Sequence, residues 1–402
     1  MRRAEPRDKW QNMGLVEDIR ISRAPALGFV AMALVWGCFA AQVPVIKAQI
    51  GASDAAYGAS FLVSSIGAIS AMWLAPLVDR RLGALSLALS SAAMIACMLF
   101  VSFSSLIAVF TFGMFLTAAA SGIADILLNT RIAESEAQRG RPLMNLNHAV
   151  YSFSFAGAAL VTGMAREAGF TPVQVFCIVA AVIWSLCFLM VAPHRHTAGE
   201  PALSAAAGRV IVWLAGLVFL VGFMAEQAVE GWSALHLERT LGGGAAQGAL
   251  GPAVLGVTMG IGRIIGQSVA ARLSETVIIA AACTIAAIGT ATAALAPTLI
   301  VAYIGFSILG LGVSVVVPIS MALIGRVVPQ SDRVAAIGRA SVVGYGAFLF
   351  GPSMMGLTAD LYGLRASFLL LAIMLLLVAA VLVPVMNRRL RAGRSSGAHP
   401  HP

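Results

Sequence analysis

Asp125 stands inside "TAAASGIADILLNTR" (117–131), a run that otherwise reads as apolar helix. A carboxylate at mid-bilayer costs roughly 2.5–3.5 kcal/mol on insertion scales, so its presence needs a cause. Thr117, Ser121, Asp125 and Asn129 follow each other at four-residue spacing, which puts them on one helical face. An acid on such a stripe faces the protein interior or water. A carboxyl group held there can bind and release a proton, the chemistry of a proton carrier. The alternative is a static ion pair with a buried base such as Arg263.

A second constellation is "FMAEQAVEGWSALHLE" (223–238). Glu226 and Glu230 share a face; Glu226, the deeper, is expected to line a cavity and to take part in proton coupling with Asp125. Glu230 and Glu238 are expected at the interface, solvated. Arg263, in "GVTMGIGRIIGQ" (256–267), is the one base within an apolar run. A guanidinium cannot discharge, so it needs either an acid or an anionic substrate. Gly256, Gly260, Gly262 and Gly266 around it let another helix come close. His148, beside Asn145 and Asn147, either titrates near about pH 6.5 as a gate or is a polar residue at a helix start. Trp36, Tyr151 and Trp232 can stack on a substrate ring, while Gln42, Asn129, Asn145 and Gln227 can bind hydroxyls. Trp232 fits equally well as a membrane anchor or as part of an outer gate.

These side chains must be positioned by apolar helices. The 402 residues are 59% hydrophobic and 11% charged, with mean hydropathy +0.91. Soluble domains have about 45–50% apolar and about 25% charged residues. The chain is therefore expected to be all-α and integral to the membrane. Twelve transmembrane helices are predicted at 24–45, 56–78, 84–104, 106–129, 146–166, 172–193, 209–231, 247–272, 275–296, 298–321, 335–358 and 364–386. The polar stretch 194–208 divides them into two six-helix bundles, 24–193 and 209–386, flanked by tails 1–23 and 387–402. Residues 1–23 are polar and the first apolar run is too long for a signal-peptide core, so no cleavable signal is expected.

The net charge of +9 orients the chain and does not suggest nucleic acid. Of the 26 Lys and Arg, only Lys47, Arg166, Arg239 and Arg365 fall on the side away from the termini, with Arg263 inside a span. The positive-inside rule then places both termini in the cytoplasm of a multi-pass inner-membrane protein, expected to be a monomer. The five cysteines lie in apolar runs without metal-ligand spacing, so no metal or cofactor is expected. No phosphate-binding loop, H-E-x-x-H, C-x-x-C or nucleophile elbow appears, which argues against an enzyme. Internal similarity links the halves: "FAGAALVTGMAREAGF" (155–170) matches "LFGPSMMGLTADLYGL" (349–364) at a shift of 194. Gly157 then falls on Gly351, Gly169 on Gly363, and Arg166 on Asp360.

The loop "APLVDRRLG" (75–83) resembles the G-x-L-a-D-r-x-G loop of the major facilitator superfamily, with Ala75 in place of its first Gly. The likeness extends over nearly the whole chain. It implies a fold of two pseudo-symmetric six-helix bundles and gives Asp79, Arg80 and Gly83 a part in conformational gating. In the family this Asp sits against the cytoplasmic end of the eleventh helix. Within the superfamily the chain is most similar to the fucose-permease-like branch, which has an acid and, four residues on, an Asn in its fourth helix. Asp125 and Asn129 match that pattern, and Asn145, His148 and Ser152 fall where the branch has cavity residues. The branch's second acid, in the first helix, is Ala40 here. The resemblance implies a secondary transporter driven by protons and leans toward a sugar-like small-molecule substrate. Two rivals stand beside symport: a proton-antiport exporter, weakened by a fifth span without proline, and a non-transporting receptor or sensor.

Overall fold

The computed structural model describes residues 15–139, 143–191, 210–270, 272–329 and 332–396. The expected linker 194–208 lies outside them, as do residues 1–14 and 397–402. An apolar run in lipid must satisfy its own backbone hydrogen bonds, and among the described residues every long element is a helix, with no strand. The first half comprises α1 (Leu15–Ile21), α2 (Arg23–Gln49), α3 (Asp54–Leu82), α4 (Ser86–Ser102), α5 (Ile107–Arg139), α6 (Met144–Glu167) and α7 (Pro172–Met190). The second comprises α8 (Val210–Leu235), α9 (Ala245–Ala270), α10 (Glu275–Ala294), α11 (Leu299–Val327), α12 (Arg333–Tyr362), α13 (Leu364–Leu377) and α14 (Val383–Ser396). A π turn, His236–Thr240, prolongs α8, and another, Val378–Leu382, joins α13 to α14 in one rod.

Each of the twelve expected spans falls on a long helix, and among the described residues ten segments are long and apolar enough to cross a bilayer. Among the described residues α6 is not one of the ten, and α3 enters only by its last turns, joined to α4 in Trp73–Ser102; α6 packs on α2 and α9 and also carries exposed apolar residues such as Val161 and Met164. Boundaries differ where polarity misleads. The fourth span, expected to stop at 129, continues as α5 to Arg139 through Arg131, Glu134 and Glu136, because a helix can leave the bilayer without ending. The expected tails are partly helical as well, as α1 and the end of α14.

Turn chemistry sets several ends. Ser53 accepts a bond from the Ala56 N–H at 3.1 Å and starts α3. Thr171 and Gln174 form a capping box around Pro172 and start α7. Gly169 and Gly363, paired by the 194-residue shift, both have positive φ, +87° and +82°, just past α6 and α12.

That shift carries α3 onto α9 and α6 onto α12. The main contacts between the halves are α3 with α12 and α6 with α9, so the interface has the same approximate two-fold relation. We call the end bearing Leu15 and Ser396 the terminal end and the other the distal end. Near the distal end α3 and α12 touch backbone to backbone. A Cβ on Gly58 would lie 2.3 Å from the Pro352 carbonyl oxygen, and one on Gly356 2.3 Å from that of Asp54. Only glycine permits that approach. At the terminal ends of α11 and α12, Gly325 and Gly338 face open space.

Candidate functional site

The stripe on α5 forms as expected. Asn129 Nδ2 donates to the Asp125 carbonyl and to its carboxylate Oδ1, both at 2.9 Å. His148 Nε2, on α6, lies 3.1 Å from Asn129 Oδ1. An amide oxygen only accepts, so this contact assigns the imidazole proton to Nε2. Ser121, one turn before Asp125, accepts from Trp36 Nε1 of α2 at 2.9 Å. The first half thus holds its acid in a directed chain of hydrogen bonds that ends on α6.

The second half meets it there. Arg263 Nη1, on α9, donates to Ser152 Oγ and to the His148 carbonyl at 3.3 Å. Its Nη2 lies 3.8 Å from Glu226 Oε1 on α8. Asp125, Asn129, His148, Arg263 and Glu226 therefore form one network across the interface. Arg263 is fixed as a cation and pairs with Glu226, not with Asp125. That corrects the static pair considered for Asp125 with Arg263: the acid beside Arg263 is Glu226 on α8, which sequence spacing cannot identify. Two further carboxylates remain without a basic partner in this network, Asp125 and Glu230. Glu230 was expected to be solvated, but it is half-buried and accepts from Gln227 Nε2 at 2.7 Å. Its depth on α8 is set by tertiary packing.

Other candidates lie apart. Gln42 is fully buried, with neither side-chain polar atom hydrogen-bonded. Asn145 is exposed at the start of α6. Tyr151 packs against Phe29 and stacks on Phe155, adjacent to Ser152. Trp232 is 1% exposed and meets Tyr57 edge-on across the interface, which fits a closed contact better than a membrane anchor. Asp79 accepts from Arg131 Nη2 at 2.5 Å and from Ser86 Oγ at 3.0 Å at the terminal end of the first half, with Arg80 exposed and Gly83 in a left-handed turn.

A distal cluster escaped the sequence reading. Asp54, at the mouth of α3, binds Lys47 Nζ at 2.9 Å and Arg239 Nη1 at 3.0 Å. Burial would raise the Asp54 carboxyl above the usual 3.8, but hydrogen bonds from Arg239 and Lys47 outweigh it and hold it lower. Asp360 accepts the N–H groups of Asp54 at 2.8 Å and Ala55 at 3.0 Å, so α12 caps α3 from the other half. Arg166 grips Glu238 with two bonds, 2.7 and 3.0 Å, and donates to the Ala41 carbonyl at 2.6 Å. Glu238, expected to be solvated, is thus an interdomain partner. It rides with Arg239 on the π turn, a form frequent at functional sites. The one available signal was the repeat: Arg166 and Asp360 occupy matching positions, and both reach across the interface.

The Major Facilitator Superfamily profile matches residues 26–318 and 293–402. An uncharacterised MFS-type transporter of Yersinia pestis is 30% identical over 371 residues, 88% of this chain and 93% of its own. A bacterial homologue of the human lysosomal transporter Spinster, solved in an inward-facing and occupied conformation, is similar with a TM-score of 0.70. Its identity is 14%, over 92% of this chain and 96% of its own. A D-xylose–proton symporter also reaches 0.70, at 15% identity over 92% of this chain and 97% of its own. At those identities the solved structures establish likeness of fold.

Proposed function

Because the chain belongs to the major facilitator superfamily, we propose that it is a secondary active transporter that takes up a small polar solute by proton symport. It works by alternating access in the cell inner membrane, with the termini in the cytoplasm. The observation that carries this reading is the central network, in which Asp125 of one half is linked through Asn129 and His148 to Arg263 and Glu226 of the other. Buried charge at that depth is costly and marks a path for ions or protons. Arg263 cannot release its proton and is matched by Glu226; of the two carboxylates without a basic partner there, Asp125 is the one tied to α6 through Asn129 and His148, and we assign the loading and unloading of a proton to it. Its hydrogen-bond chain ends on α6, which packs on α9, so a change of charge at Asp125 acts on the contact that must loosen when the bundles rock.

Orientation follows from the basic residues near the termini. The distal cluster, which joins the halves, then faces the periplasm. The resemblance to the fucose-permease-like branch supports a sugar-like solute, with Asn129, Gln227 and Tyr151 among its polar contacts.

The test uses proteoliposomes loaded with a pH-sensitive dye and challenged with a panel of sugars, polyols and amino compounds. The wild type should acidify the lumen with its solute and accumulate that solute against its gradient when a pH gradient is imposed. Asp125→Asn keeps the size and hydrogen-bonding capacity of the side chain but cannot titrate. It should still exchange solute while accumulation disappears. An Asp125→Asn protein that drives uphill uptake would sink the assignment.

A further inference from the structure

One turn distal to Glu226, a small chamber lies between the halves. It is lined by Trp36, Phe39, Tyr57 and Phe61 from the first half and by Gln227, Glu230, Trp232 and Pro352 from the second. The Tyr57 ring meets Trp232 edge-on at 5.3 Å and Phe61 at 5.2 Å between centroids. The free interior is about 20 Å³, room for one water-sized group. Two features of this chamber are unexplained by packing. The Tyr57 hydroxyl is fully buried and has no hydrogen-bond partner, which is uncommon for a buried polar atom. Glu230 has an amide, Gln227, as its hydrogen-bond partner, and the nearby cation Arg263 is already held by Glu226.

A carboxylate set among Trp, Tyr and Phe rings is the arrangement that recognises an organic cation. The ring faces attract the charge, the acid neutralises it, and the enclosure excludes competing water. A protonated amine matches the chamber in size as well, since an ammonium group is close to water in volume. Its N–H groups would donate to Glu230, and to the Tyr57 oxygen once that side chain turns toward the chamber.

We propose that this chamber is the headgroup subsite of the transported solute, and that the solute carries a protonated amine. The inference rests on the transporter reading and specifies its substrate class: an amino-substituted sugar, polyol or similar small molecule, in preference to its neutral or anionic counterpart. Arg263 and Glu226, one turn away, meet the polar remainder of the molecule.

Three probes that share one ring test it: D-glucosamine, D-glucose and D-glucuronate, each titrated into the purified full-length protein. Quenching of tryptophan fluorescence reports occupancy, since Trp36 and Trp232 line the site. Glucosamine should saturate at a concentration at least about tenfold lower than glucose, and glucuronate should not saturate. Glu230→Gln should bring glucosamine and glucose to the same midpoint, and Tyr57→Phe should weaken glucosamine several-fold while the protein elutes as the wild type does. Equal midpoints in the wild type, preference for glucuronate, or no saturation by any probe would overturn the proposal, and so would an unchanged preference in Glu230→Gln. Dye-loaded proteoliposomes separate this from the coupling assignment. Proton movement with neutral solutes alone would remove the amine subsite and leave symport standing. Amine binding without proton movement would do the reverse.

Discussion

Glu238→Gln tests whether the distal cluster holds the halves together. The Arg166–Glu238 pair makes two charge-assisted bonds, 2.7 and 3.0 Å, with the side chains 6% and 18% exposed. Glutamine keeps one acceptor and loses the charge and the second bond. A charged hydrogen bond contributes about 1.5–3 kcal/mol net, so the sealed state should lose roughly that much relative to the state open at the distal end. This corresponds to an increase of about 10- to 150-fold in the open-to-sealed ratio. Arg239→Gln is the internal comparison. That side chain is 46% exposed, and its buried partner Asp54, 5% exposed, keeps Lys47, so the shift should be smaller, about a few-fold. Spin labels on Ala168 and Pro297, exposed residues in distal loops of the two halves, report the opening by pulsed dipolar spectroscopy. The long-distance population should rise strongly in Glu238→Gln and barely in Arg239→Gln. Adding Arg166→Gln to Glu238→Gln should cost less than the sum of the single changes. Identical distributions in Glu238→Gln and the wild type, or a larger response in Arg239→Gln, would refute the reasoning.

Arg263→Gln leaves Glu226 as a half-buried acid without the cation 3.8 Å away; thermal unfolding should show a lower midpoint, restored by adding Glu226→Gln. A stable single variant would deny the pairing. Gly58→Ala places a methyl 2.3 Å from the Pro352 carbonyl, so α3 and α12 must separate, and the same spin labels should lose their short-distance population. An unchanged distribution would mean that the helices tolerate the shift. The sealing contribution of Asp54 depends on its charge, and its carboxyl is held below 3.8. It should therefore be fully present above 3.8 and lost only as the pH falls through the lowered value, so distal opening should be flat between about pH 5 and 8 and increase in stronger acid. Opening that changes near pH 6 would point to a different group.

The sequence by itself determined the membrane class, the helix count and the pairing of the halves, because these depend on local apolarity and on a repeat carried in the chain. The α5 stripe was legible for the same reason: Asp125 and Asn129 sit one helical turn apart, and any helix brings them together. Even the left-handed glycines after α6 and α12 follow from matching letters at a fixed shift. Helix lengths were less legible, since hydropathy ends where polar residues begin whereas α5 continues past the bilayer as a charged helix. What only the tertiary structure decided is which charges meet. Arg263 is by sequence a candidate static partner of Asp125, and that it meets Glu226 instead depends on how α9 packs between α6 and α8. Glu230 and Glu238 were placed in water because their depth was counted along a straight helix. The packing of α3 on α12 instead encloses the first, and a π turn swings the second onto Arg166. Ion pairs form across elements far apart in sequence and carry no period of their own, so no reading of spacing along one helix can supply them.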